Sequence, residues 1–396
     1  MSERRYQQTH PHLSFRVDLS QLPFQAWMLL GEAQSKIEHL AGIPLRPDIA
    51  ETLHHVYLAK GVLATTAIEG NTLTEDEARK LVDNRLELSQ SREYLGQELQ
   101  NIIEAINVIF RDIVDEKTRN LSFDAVLEFN RIVLDRLPEK EGVIPGEIRN
   151  YDVSVGQYHG APPSDCEYLT RKLCDWIGAI SRDVPRGFEI AFEIIKAVIA
   201  HVYMAWIHPF GDGNGRTARL IEFRILVSAG VPSVAAHLLS NHYNLTRSEY
   251  YRQLSLSSSS PNGILSFIHY ALRGFVDSLK EEISTVRDYQ IDITWRNFVH
   301  ESLGHDSPST NRKRHLVLDL SAHEEGIPLS EITDVSIRVH DAYAKIGDRT
   351  LTRDINELIK QGFLVKAGKN IKANKDSILA FLPARRAVSE SPIARD

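Results

Sequence analysis

The stretch His208-Pro209-Phe210-Gly211-Asp212-Gly213-Asn214-Gly215-Arg216-Thr217-Ala218-Arg219 lies between two strongly apolar helical patterns, at about 187–207 and 215–229. Pro209 disfavours helical geometry at His208, so the first helix is expected to end there. Glycines at 211, 213 and 215 let the backbone turn tightly and approach a ligand closely. The second helix is expected to begin near Gly215, which points its free N–H groups and positive dipole end at the turn, a ready anion site. Arg216 and Arg219 are three apart and share a helix face. Two guanidiniums beside a helix N-terminus suit a polyphosphate. Asp212 suits a Mg2+ ion held through phosphate oxygens. His208 is the obvious proton acceptor and can activate a hydroxyl nucleophile. Phe210 reads as an apolar plug that fixes the turn to the core.

Familiar phosphate and metal patterns do not fit. A Walker A loop needs four residues between its glycine and Gly-Lys, whereas Gly211 to Gly215 leaves three and Arg216 replaces the lysine. Gly-x-Gly-x-x-Gly fails at Arg216, and an EF-hand loop needs more acids than Asp212 alone. A plain glycine-rich connection accounts for any one of these residues. It does not account for His, Asp, Asn and two Arg within twelve.

Outward from this turn, helical periodicity dominates the 396 residues. Ile49, Leu53, Val56, Leu63 and Ala67 recur at near-helical spacing from Pro47 to Glu69, and Gly70-Asn71 stops the run. Thr74-Glu75-Asp76-Glu77 is a capping box that opens the next helix. Further helices are expected at about 93–115, 122–137, 165–181 and 262–285. Residues 146–159 break the habit, with β-branched residues and central Asn and Asp, and predict a short β-hairpin on a helical body. A linker rich in turn formers is expected at 291–311. Beyond it, helix, short helix, helix ending at Gly362, then Phe363-Leu364-Val365 and a turn at Ala367-Gly368-Lys369-Asn370 predict a winged helix-turn-helix over 312–385, with a tail at 386–396.

Composition excludes several classes. Hydrophobic residues are 42% and charged residues 25%, which argues against a disordered or fibrous chain. The net charge of -7 is uneven: from residue 301 onward there are 15 Lys and Arg against 14 Asp and Glu, and before it 31 against 39. Cys166 and Cys174 cannot build a disulfide framework and are expected to be buried or idle thiols in a reducing compartment. The N-terminus leads into polar residues, and Glu193, Lys196 and His201 interrupt the most apolar stretch. No membrane span and a cytoplasmic location are therefore expected. His201 is expected to be a core histidine, and His54 and His55 show no metal-ligand spacing.

The twelve-residue stretch resembles the Fic-family motif H-x-F-x-[D/E]-G-N-G-R-x-x-R at every specified position, and the resemblance covers roughly residues 45–290. It implies a mainly α fold, a Fic-type helical bundle with a small β-hairpin flap, here followed by the winged helix-turn-helix. It also implies transfer of AMP from ATP, with Mg2+, to a Tyr, Thr or Ser hydroxyl of a target protein or of the chain itself. On that resemblance His208 is the general base and Asp212 holds Mg2+ on the α- and β-phosphates. Gly213, Asn214, Gly215 and Arg216 form the phosphate cradle, and Arg219 reaches the γ-phosphate. Doc-type relatives, which transfer phosphate, carry Lys where Arg216 stands. The expected division is a 1–115 helical region and a 116–290 catalytic core.

Thr65-Thr66-Ala67-Ile68-Glu69-Gly70 resembles the family's inhibitory pattern [S/T]-x-x-x-E-[G/N]. A carboxylate at the end of a helix is unfavourable unless a cation pairs with it. A Glu69–Arg219 pair would fill the place of the γ-phosphate, which predicts weak basal activity. The hairpin resembles the family's flap, with Val153, Ser154, Val155 and Gly156 as the edge that aligns a target segment by strand addition and contacts the nucleotide. Tyr243, Tyr250 and Tyr251 are candidates for an adenine pocket. Relatives carry an Asn near Ser258 that this chain lacks, so the base contact stays unassigned.

Partners follow from the same elements. Arg349, Arg353, Lys366, Lys369 and Lys372 suit phosphate contacts of DNA. Asp348, Asp354 and Glu357 dilute that charge, so protein docking or a homodimer fits equally. Two other functional readings stay open: a DNA-binding regulator with the Fic core as sensor, and a Fic enzyme that uses another nucleotide or a phosphocholine donor.

Overall fold

The computed structural model describes residues 4–115, 121–180, 184, 186–259, 262–304, 307–344 and 346–379. The chain divides into two compact units, Met1–Ile283 and Ser284–Asp396.

The first unit is helical. In chain order it holds α1 (Arg5–Thr9), α2 (Phe24–Ala41), α3 (Pro47–Ala67), α4 (Glu75–Val82), α5 (Glu93–Val114), α6 (Phe123–Val133), β1 (Ser154–Val155), β2 (Tyr158–His159), α7 (Pro163–Ile180), α8 (Glu189–Ile207), α9 (Asn214–Ser228), α10 (Ser233–Ala236), α11 (Leu238–Leu245), α12 (Arg247–Ser257) and the first half of α13 (Gly263–Ser302). The centre is α8 packed against α9. Fourteen of the nineteen residues of α8 and thirteen of the fifteen of α9 are buried, so both are core helices rather than amphipathic surface ones. Among the described residues α8 is the one helix long and apolar enough to cross a membrane, and here its neighbours bury it. Cys166 and Cys174 are buried and free, as expected, and burial pushes their thiols up to about 11 and about 12.

Several elements depart from expectation. α6 ends at Val133 rather than 137, because Leu134 caps it and Arg136 takes a left-handed φ of 53°. Of the hairpin expected at 146–159, only Ser154–Val155 pairs with Tyr158–His159, as an antiparallel two-residue ladder. Residues before it are irregular. α2, α11 and α12 add helices that the periodicity did not single out. The helix expected to stop at 285 runs to Ser302, so residues 291–302 are helical rather than linker, and Trp295 and Val299 are buried in the second unit's core.

The second unit follows α13 with α14 (Pro308–Leu320), β3 (Ile327–Pro328), a 3-10 segment at Leu329–Val335, α15 (Ile337–Ala344), α16 (Asp348–Lys360), β4 (Leu364–Ala367) and β5 (Asn370–Ala373). The strands form an antiparallel sheet in the order β3-β5-β4, which adds a strand to the expected hairpin. Leu316, Leu320, Ile332, Val339, Ile355 and Leu358 fill its core. Inside it Arg312 pairs with Asp354 at 2.8 Å, and Tyr343 Oη also donates to Asp354. Residues 380–385 of the expected winged helix and the tail at 386–396 lie outside the described residues.

Candidate active site

The site is the connection between α8 and α9. His208 caps α8 in a left-handed conformation, φ 49° and ψ 58°. Its Nδ1 lies 3.3 Å from the Ala205 carbonyl. A carbonyl only accepts, so Nδ1 carries the proton and Nε2 keeps a free lone pair. Burial pushes the imidazole down to about 4, so it is neutral at pH 7. The backbone here is held by Arg149, a buried residue whose guanidinium donates to the carbonyls of His208 (2.8 Å), Tyr151 (2.6 Å) and Ala161 (2.6 Å). One side chain thus fixes the His208 turn and both ends of the flap segment. The charge pattern of the sequence held no signal for this role, because an Arg among Ile and Asn reads as strand surface.

The rest of the turn is pinned from within. Asn214 Oδ1 accepts from Phe210 N at 2.9 Å and its Nδ2 donates to Phe210 O at 2.8 Å. The Asn214 side chain therefore shapes the loop, and what remains of it for an anion is its backbone. Phe210 is buried, as expected of a plug. Gly213 needs its left-handed φ of 75°, and a Cβ there would stand 2.9 Å from Asn130 Nδ2. Asn130, fully buried on α6, donates to the Asp212 carbonyl at 2.9 Å and accepts from Gly146 N at 3.0 Å. It too was invisible in the sequence.

Cations and carboxylates then interlock. Arg219 is buried, and its Nη2 donates to Glu69 Oε1 at 2.7 Å and to the Thr65 carbonyl at 2.8 Å. Burial works to raise the Glu69 carboxyl, but the charge and hydrogen bond of Arg219, with the charge of Arg216, hold it below its usual range. A Cβ on Gly215 would stand 2.1 Å from Glu69 Oε1. The carboxylate just beyond the end of α3 therefore rests against the first turn of α9, where the helix dipole favours it. Arg216 binds Glu98 Oε1 at 3.0 Å and lies 3.7 Å from Asp212 Oδ1. Arg219 Nε and Nη1 and Arg216 Nε are buried with no acceptor among the described residues, so both guanidiniums keep donors that could serve an anion. A cavity of about 240 Å³ lined by Tyr94, Glu98, Leu137, Lys140, Asp212 and Arg216 opens beside it.

Residues 120–226 match the model of the Fic/DOC family. The chain contains a Fic domain. Its similarity to curated proteins extends further than the match. It is 29% identical over 232 residues to a protein adenylyltransferase Fic of Nematostella vectensis, covering 58% of this chain and 49% of that one. It is 30% identical over 226 residues to the one of Drosophila willistoni, covering 56% and 40%. The matched part thus spans half or less of the length of these relatives. Among solved structures, Fic-1 of C. elegans (residues 134–508) shares the fold at a TM-score of 0.53 and 22% identity, over 67% of this chain and 73% of that one. A Fic family protein of Desulfovibrio desulfuricans shares it at 0.54 and 18%, over 89% and 96%.

The remaining expected site residues of the Fic domain divide. Ser154 and Val155 are exposed on the flap, Gly156 turns it with φ 59°, and Val153 accepts from Gly160 N. The aromatic trio does not line one wall. Tyr243 is in the core and donates to Glu222 at 2.9 Å. Tyr250 is buried, with its hydroxyl 2.9 Å from Nε2 of His201, itself a core histidine. Tyr251 alone is exposed, and its hydroxyl donates to the Ile68 carbonyl at 3.2 Å, next to Glu69. Asp212 accepts from Gly213 N through Oδ1 at 2.8 Å and from Lys140 through Oδ2 at 2.6 Å. No cluster of three metal-ligating side chains exists among the described residues. A single carboxylate that already holds a cation fits a Mg2+ ion brought in with its phosphates, since Mg2+ uses one or two carboxylates and completes its shell with phosphate oxygens and water.

Proposed function

We propose that this chain is an autoinhibited protein adenylyltransferase that transfers AMP from ATP to hydroxyl side chains. The observation that carries the reading is a neutral His208, with Nε2 free, on the same turn as two buried guanidiniums with unfilled donors. The names of the similar proteins supply the reaction class.

The residues supply the rest. The N–H groups at the start of α9 and the guanidiniums of Arg216 and Arg219 bind the triphosphate and hold it in line. The flap edge at Val153–Gly156 holds a target segment as an added strand and so presents its hydroxyl. His208 Nε2 takes the hydroxyl proton as that oxygen attacks the α-phosphorus. The bond from the α-phosphorus to the bridging oxygen breaks, and pyrophosphate leaves with that electron pair. Asp212 would hold a Mg2+ ion that supplies positive charge against the phosphates, and Lys140, bonded to Asp212, adds its own charge at the edge of the site. Glu69 opposes all this, because its carboxylate holds Arg219 at the anion seat and a phosphate must displace it.

The test is mass spectrometry of purified Glu69→Gly protein after incubation with ATP and Mg2+. A hydroxyl residue carrying AMP, absent from the His208→Ala control, supports the reading. Transfer of another group, or none, rejects it.

The second unit's order of helix, strand, helix, helix and hairpin supports a winged-helix reading. Two of the acids expected to dilute its charge are engaged, Asp354 with Arg312 and Glu357 with Lys313 at 2.6 Å. Arg349, Lys366 and Lys369 stay exposed. Duplex retention that weakens steeply with salt would mark this face as a DNA contact.

A further inference from the structure

Glu98, on α5, bridges two parts of the site. Its Oε1 accepts from Arg216 Nη1 at 3.0 Å, and its Oε2 accepts from Asn71 Nδ2 at 2.8 Å. Asn71 is buried and immediately follows Glu69-Gly70. Its Nδ2 also donates to the Leu95 carbonyl at 2.9 Å, and its Oδ1 accepts from Leu73 N at 3.0 Å. The turn that carries Glu69 is thereby tied to α5, and through Glu98 to Arg216. Each phosphate-facing guanidinium is held by a carboxylate from outside the loop: Arg219 by Glu69, Arg216 by Glu98.

We propose that Glu98 is a positioning residue that restrains Arg216 and couples its release to movement of the Glu69 turn. This rests on the adenylyl-transfer reading above and deepens it into a regulation with two linked locks. A phosphate that approaches Arg216 competes with a carboxylate already in a charge-assisted bond on a nearly buried side chain. Asn71 gives that competition its link to the brake. When the Glu69 turn departs, Glu98 loses one of its two anchors and holds Arg216 less firmly. Release of Glu69 alone leaves the second lock in place.

The experiment compares the full chain as wild type, Glu69→Gly, Glu98→Gln, and the double variant. Titration calorimetry with ATP and Mg2+ reads affinity, and unfolding without ligand reports the fold. Glu98→Gln removes the charge opposite Arg216 and keeps an amide oxygen for Asn71. ATP affinity is expected to rise about tenfold in the Glu69→Gly background, the scale of one charge-assisted hydrogen bond. The rise should be smaller with Glu69 present, since Arg219 stays blocked. Asn71→Ala in the Glu69→Gly background should move affinity in the same direction, and gives a second route if Glu98→Gln folds poorly. Equal or weaker ATP binding by the double variant than by Glu69→Gly overturns the proposal, because Glu98 would then be inert or would aim Arg216 at phosphate. If Glu69→Gly binds ATP and labels itself but is indifferent to residues 98 and 71, only this inference falls. If no form binds ATP, the functional reading falls with it.

Discussion

Arg219 Nη2 makes two bonds that reach the same short segment: one to Glu69 Oε1 at 2.7 Å and one to the Thr65 carbonyl at 2.8 Å. A single nitrogen thus holds both the last turn of α3 and the carboxylate just beyond it. Removing the carboxylate leaves the carbonyl bond, so Arg219 stays in place with its other donors open. Glu69→Gly is therefore expected to fold, with a lower midpoint because buried Arg219 loses its counter-charge, and to raise ATP-dependent self-labelling by about tenfold or more, the scale of a charged hydrogen bond. Labelled ATP and a thermal melt check this, and labelling no faster than wild type contradicts it.

The lowered His208 pKa sets the acid side of the rate profile. An ordinary imidazole loses its lone pair to a proton near pH 6.5, whereas the buried ring at about 4 keeps it. In the Glu69→Gly background, labelling is expected to persist well below pH 6 and to fall only toward pH 4. An acid limb centred near 6.5 would assign it to another group or to a solvated His208. His208→Ala should lower the rate by about a hundredfold or more.

Arg149 feeds three carbonyls from a buried position. Arg149→Leu removes the guanidinium from all three and leaves Ala161 only the weak Cys166 thiol donor, at roughly 1–3 kcal/mol for each carbonyl that goes unsatisfied and that water cannot reach. Chemical unfolding should show a loss of that order, and labelling should fall with it as the His208 turn loosens. An unchanged midpoint would show that the clamp is redundant.

Glu282, on α13, is buried with neither carboxylate oxygen bonded among the described residues, and burial pushes it up to about 8. The folded state thus binds this proton more tightly than the unfolded chain does. Its stabilising effect is complete below about pH 4.5 and is lost as pH rises through 8. Glu282→Gln, which cannot ionise, should melt with wild type near pH 4.5 and above it at pH 8 and beyond. Parallel melting curves across that range would rule this out.

In the second unit, Asp354 is fully buried against Arg312. Asp354→Ala leaves a nearly buried guanidinium unpaired, and a loss of roughly 3 kcal/mol is expected in denaturant unfolding followed by Trp295 fluorescence. A change under 1 kcal/mol would show that Arg312 finds solvent.

How much of this was legible in the sequence depended on whether chemistry was local. The turn from His208 to Arg219 could be read because its glycines, cations and acid share twelve residues. The capping box at Thr74 and Glu77 formed as its spacing required. Arg149, Asn130 and Glu98 act on residues 59, 82 and 118 positions away, and nothing in their own neighbourhoods marks them. α2 escaped because Phe24, Trp27 and Met28 are exposed, which blurs the contrast between its faces. The true end of α13 is masked in the sequence because polar residues interrupt 286–294, although Trp295 and Val299 continue the buried stripe. β3, with two residues, is too short to show alternation.

Gly215 gives the proposed brake an unusual genetic property. On the proposed function, Glu69 and a nucleotide phosphate would compete for one seat, and the room for Glu69 there exists because residue 215 has no Cβ: an added methyl would lie 2.1 Å from Glu69 Oε1. A larger residue there evicts the inhibitor but crowds the substrate by the same volume. Gain-of-function changes are therefore expected to arise on the α3 side, at Glu69 and its supports, and not within the loop. Screens for hyperactive variants of this chain should come back empty at position 215.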